Sequence, residues 1–115
     1  MCKKKTLRTH FKSKFPTIVC LCGSTRFLDE FEKQQLKLTL ENKIVLTLGT
    51  HTPLARQYAD GFENKKESLD ELHFRKIELA DEVLVLNVGG YIGRSTRREI
   101  EHARQTGKRV CFLEK

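Results

Sequence analysis

Four short apolar runs recur along the chain: residues 17–22 (TIVCLC), 44–48 (IVLTL), 83–88 (VLVLNV) and 109–113 (RVCFL). Each is too short for a core helix. The first is continuously apolar rather than alternating, the mark of a strand covered on both faces, and the second reads as a buried strand too. Three longer segments separate them. A helix is predicted from Ser24 or Thr25 to about Asn42, with Phe27, Leu28, Phe31 and Leu38 as its apolar stripe and Asp29 and Glu30 where the helix dipole favours acids. Ser68-Leu69-Asp70-Glu71 reads as a capping box opening a second helix to about Ala80. On it Leu69, Leu72, His73, Ile77, Leu79 and Ala80 share an arc of roughly 160°, which turns His73 toward the sheet or a pocket. A third helix is expected from Thr96 to about Gln105, stopped at Gly107. Residues 49–66 are polar and broken by Pro53 and Gly61, a long connection expected to be functional or mobile, with room for a short helical turn.

Strands alternating with helices predict an α/β chain. The expected fold is a flavodoxin- or Rossmann-like three-layer sandwich on a parallel sheet of four or five strands, in the order 2-1-3-4. Residues 17–115 make one nucleotide-binding domain of this kind. Residues 1–16 carry six of the 22 Lys and Arg and no acid, so they supply six of the net +7 and leave 7 − 6 = +1 for the rest. They read as a flexible basic tail, or more weakly as an arm for nucleic acid. No stretch suits a membrane span or a secretory signal, which points to a cytoplasmic protein. Cys2, Cys20, Cys22 and Cys111 lack zinc-like spacing and are expected as reduced core thiols, with no metal and no cofactor.

In such sheets ligands bind beyond the carboxyl ends of the strands, where the winding reverses. Two junctions meet there. Gly23-Ser24-Thr25-Arg26 follows the first strand and leads into a helix start, with backbone N–H groups, hydroxyls and a guanidinium suited to an anion. Gly89, Gly90, Gly93, Ser95 and Thr96 follow the third strand in the same way. Neither is a dinucleotide fingerprint or a Walker loop, and each is open to reading as ordinary turn chemistry. Glu99 lies just beyond the second junction. Thr96-Arg97-Arg98-Glu99 is itself a capping box, so Glu99 reads equally as a cap or as a carboxylate set to attack or stabilise a sugar cation.

Three pieces of the chain resemble the nucleoside 2-deoxyribosyltransferase superfamily, which includes the 2′-deoxynucleoside 5′-phosphate N-glycosidases. They are Cys22-Gly23-Ser24 followed by Arg26; Ala80-Asp81 opening an apolar strand; and a glycine loop leading to Glu99-Ile100, Ala103 and Gly107-Lys108. The resemblance implies cleavage of an N-glycosidic bond, by hydrolysis or deoxyribosyl transfer, with Glu99 as nucleophile and Ser24 and Ser95 at a 5′-phosphate. It implies a small nucleoside or nucleotide substrate and a homodimer or larger homo-oligomer. Where the family carries a proton-transferring Asp this chain has His73, which can act as acid, bind sugar or pack in the core; Asp70 is the fallback acid. Arg94 is read as a further phosphate contact, His51 as an exposed loop histidine or one that reaches a base, and Arg97 and Arg98 as solvated or interfacial. The rival reading is a noncatalytic nucleotide-binding or signalling module on the same fold.

Overall fold

The computed structural model describes residues 15–115; the basic-tail reading falls almost wholly outside them. Among the described residues four strands form one parallel sheet, β1 (Ile18–Cys22), β2 (Ile44–Leu46), β3 (Glu82–Val85) and β4 (Arg109–Phe112), in the order β2-β1-β3-β4. The helices are α1 (Leu28–Leu40), the one-turn α2 (Pro53–Arg56), α3 (Lys66–Leu79) and α4 (Arg94–Gln105).

The period of two along each strand sorts the core into two clusters. Cys20, Cys22, Val83 and Val85 face α3 and α4, where they meet Ile77, Ala80, Ile100 and Ala103. Val19, Leu21, Leu84 and Leu86 face the other way, onto Phe31 and Leu38 of α1. Helices therefore cover both faces, which is why β1 and β3 could be apolar at nearly every position. No helix among the described residues is long and apolar enough to cross a membrane.

The helix starts differ from the sequence expectation. Ser24 caps a 3₁₀ turn (Thr25–Phe27), accepting from the Arg26 N–H at 3.1 Å, before α1 begins. α3 opens at Lys66, so Ser68 is the third residue of the helix and its hydroxyl donates to the Lys65 carbonyl instead of capping. α4 opens at Arg94 with Gly93 as its N-cap, two residues ahead of the expected start. Leu72 and Leu79 are 49% and 69% exposed, so the buried face of α3 is narrower than the arc read from the sequence and centres on His73 and Ile77. Cys20 and Cys22 are free thiols buried in the core, as expected.

Two contacts tie β1 to β3, one at each end of the pair. A Cβ on Gly23 would lie 3.2 Å from Leu86 Cβ and 3.3 Å from its carbonyl, so glycine lets the first loop lie against the end of β3. At the other end of the sheet, Asp81 Oδ2 accepts from the Ile18 N–H at 2.8 Å while the Asp81 N–H donates to the Ile18 carbonyl. This pair fixes the register of β1 on β3. Asp81→Ala removes the acceptor and is expected to cost about 1–3 kcal/mol, read as a lowered urea midpoint; an unchanged midpoint would show that the register is set without it.

Candidate active site

A cavity of about 510 Å³ opens at the carboxyl ends of β1 and β3. Both junctions picked out in the sequence reach it. Gly23, Ser24 and Thr25 form one wall, and Gly93, Arg94, Ser95 and Thr96 form the other. Asp70 and His73 come from α3, and Glu99 from the second turn of α4.

Not every expected residue arrives. Arg26 lies on Tyr91, its guanidinium 3.9 Å from the ring centroid and its Nη2 donating to the Tyr91 hydroxyl at 3.2 Å. Tyr91 lines the cavity and Arg26 stands behind it. Gly89 and Gly90 have φ of 63° and 83°, a left-handed turn that glycine makes at low cost. That turn leads away from the cavity, because the Gly89 N–H donates to Glu114 Oε1 and Asn87 exchanges two hydrogen bonds with the Glu114 backbone. Only the second half of the loop reaches the site. His51 is turned onto Gln35 and the ring of Phe31. Arg97 and Arg98 are exposed, as expected.

The position of α4 removes one reading of Glu99. With Gly93 as N-cap, Glu99 is the sixth helical residue, out of reach of the cap, and the first turn carries no side-chain cap at all. The backbone N–H groups of that turn are thus presented at the cavity wall with the positive end of the helix dipole. Glu99 itself is only 8% exposed, and its Oε1 has no hydrogen-bond partner. Burial pushes its carboxyl up to about 7, against the opposing pull of His73 and the Cys22 thiol.

His73 is 4% exposed and does not point simply into the cavity. Its Nε2 sits 3.1 Å from the Leu21 carbonyl, 3.7 Å from Cys20 Sγ and 3.5 Å from Cys22 Sγ, and its Nδ1 is buried without a partner. Burial works to lower its pKa, but the Cys20 thiol and the negative charge of Cys20 and Glu99 outweigh that and hold it above the ordinary value. The hydrogen bond from Cys22 holds the Cys20 thiol down at about 6, and the same bond with burial drives Cys22 up, so the pair carries at most one negative charge. Asp70 stays near the rim, paired with Lys66 Nζ at 3.0 Å.

Sequence reasoning missed Lys66 and Lys76, two cations on the cavity wall. Lys66 reads as a solvated charge until the helix is known to start there. Lys76 is held in place by its own bond, donating to the Thr47 carbonyl at 2.7 Å. The contact of Cys20 and Cys22 with His73 was missed too. Its only signal was the two-residue spacing that turns both thiols toward α3.

The raised Glu99 carboxyl has a cost with a definite sign. The folded state holds the proton up to about pH 7, the unfolded state only to about 4.5, so stability falls as pH rises from 4.5 to 7 and is level above. Glu99→Gln escapes this loss. Its stability relative to wild type is expected to improve by about 2–3 kcal/mol between pH 5 and pH 8, measured by urea unfolding at both pH values; a constant difference would mean that Glu99 is ionised throughout. No family model matches the sequence, and no curated protein matches it.

Proposed function

We propose that the protein cleaves the N-glycosidic bond of a nucleoside or nucleoside 5′-monophosphate, with Glu99 as the nucleophile. The observation that carries this reading is the Glu99 carboxyl, which is buried and unpartnered at Oε1 on the wall of a cavity bounded by two glycine- and hydroxyl-bearing junctions. A carboxylate with no protein partner for one oxygen is available to a developing sugar cation.

In this reading the phosphate lies between Ser24 and Ser95, against the uncapped first turn of α4, with Arg94 and Lys66 adding positive charge. The ionised Glu99 attacks C1′ as the bond to the base breaks, through an oxocarbenium-like state. A glycosyl ester on Glu99 results. The departing base takes a proton from His73 if Nδ1 carries one, and otherwise from water. Water then hydrolyses the ester, or a second base displaces the sugar from it. The proposed chemistry calls on protein side chains alone.

The Glu99 side of the cavity continues into a second hollow of about 510 Å³ lined by Asp70, Phe74, Arg98 and Glu99. A second copy of the chain closing that side would complete the enclosure, in keeping with a homodimer or larger assembly.

The test is release of free base from a panel of nucleosides and 5′-nucleotides, resolved by chromatography. Glu99→Ala is expected to lower kcat by at least about a thousandfold with the fold intact. Ser24→Ala and Ser95→Ala are expected to raise KM for the 5′-nucleotide by about tenfold or more, and to leave the unphosphorylated nucleoside unaffected. The wild-type rate is expected to rise with pH along a limb centred near 7, where Glu99 ionises. Tight nucleotide binding with the ligand recovered intact would replace this reading with that of a binding module.

A further inference from the structure

Cys20 and Cys22 stand two apart on β1, so the pleat turns both thiols to the α3 face. His73 descends from α3 onto them, and the three ligand atoms lie within 4.8 Å of one another. A tetrahedral zinc ion, with Zn–S near 2.3 Å and Zn–N near 2.0–2.1 Å, sets its sulfur and imidazole nitrogen about 3.6 Å apart. The two spacings from His73 Nε2 to sulfur are 3.7 and 3.5 Å, so both edges of such a tetrahedron are already drawn. We propose that Cys20, Cys22 and His73 form a binding site for a thiophilic divalent cation, with Zn²⁺ the ion that fits best and a water as the fourth ligand.

The donor set selects the ion. Two sulfurs and an imidazole suit Zn²⁺ and disfavour Mg²⁺ and Ca²⁺, which require oxygen. Charge favours it as well. The site is enclosed by Ile77, Ala80, Val83 and Val85, where an isolated ion would be costly. Two thiolates cancel the charge of a dication, and the complex with neutral imidazole enters this setting uncharged. The balance is simple: each Zn–S bond forms as one thiol proton leaves to solvent, and no electron is transferred. Nε2 coordinates once its own proton has left to solvent, with the remaining ring proton on Nδ1, and gives up its contact with the Leu21 carbonyl. His73 and Glu99 both border the cavity, which gives the ion a way in.

The probe is Co²⁺, titrated into the full-length protein and followed by thiolate-to-cobalt charge-transfer absorption, with Zn²⁺ added in competition. Wild type is expected to saturate at one equivalent and to lose the band to Zn²⁺. Cys20→Ala, Cys22→Ala and His73→Ala are each expected to lose at least about 100-fold in affinity, more than an outer-shell change costs. No thiolate band in wild type, or an equal band in the two cysteine variants, would overturn the site. If the alanine variants do not fold, wild type decides alone: Zn²⁺ must raise the thermal midpoint and bind more tightly as pH rises, because the ligands lose protons on binding, and failure of either overturns it. The readout uses no bond cleavage, so it stands apart from the glycosidase reading.

Discussion

The pairing of β1 with β3 governs the rest of the molecule. It sets Cys22 beside Val85, residues that are remote in the chain, and leaves β2 and β4 as the outer strands. Parallel pairing across that distance requires crossovers, and right-handed crossovers send α1 to one face and α3 and α4 to the other. The chain leaves β1 and β3 in opposite directions, and the space between the two exits becomes the cavity. Gly23 keeps the meeting close, because a Cβ there would make Leu86 or the loop shift by a few tenths of an ångström. The cavity is a consequence of strand order, and its lining is a consequence of the loop and helix start attached to the carboxyl end of each strand.

That lining carries an electrostatic tension. Glu99 is buried and lacks a partner for Oε1, so its charge is poorly solvated. A carboxylate kept for stability would have been given hydrogen bonds. The nearby uncapped first turn of α4 is similarly short of protein partners. Both features weaken the isolated fold and both suit a ligand, one toward an electron-poor carbon and the other toward an anion. Local cost at a site that the rest of the fold holds in shape is the expected signature of function.

The sheet order, the parallel pairing and the two loops were legible in the sequence because they follow from apolar runs and from where glycine interrupts them. Helix starts were not. Ser68 and Thr96 both begin a Ser/Thr-x-x-Glu pattern, yet each lies inside a helix that opens two residues earlier, at Lys66 and at Arg94. A capping pattern states a local preference, and the packing of α3 and α4 on the sheet overrode it. For Glu99 the shift of two residues changes the meaning of the side chain, from a cap satisfied by its own helix to a carboxyl with an unpartnered oxygen. Arg26 and Gly89 belong to the right loops yet fall outside the lining, because Tyr91 holds the first and Glu114 the second. Contacts of that kind span 65 and 25 residues and leave no local pattern to read.

His73 shows how one residue can serve two neighbourhoods. Its Nε2 belongs to the thiol pair and the Leu21 carbonyl, and the residue also lines the cavity that Glu99 borders. A carboxylate in its place would meet two thiols, one already inclined to ionise, and the repulsion would drive it out or protonate it. Histidine fits because it can donate, accept or bind a cation against sulfur. Cys20, Cys22 and His73 form one unit, and the acid–base character of the cavity is set from below by the strand as much as from the loops above.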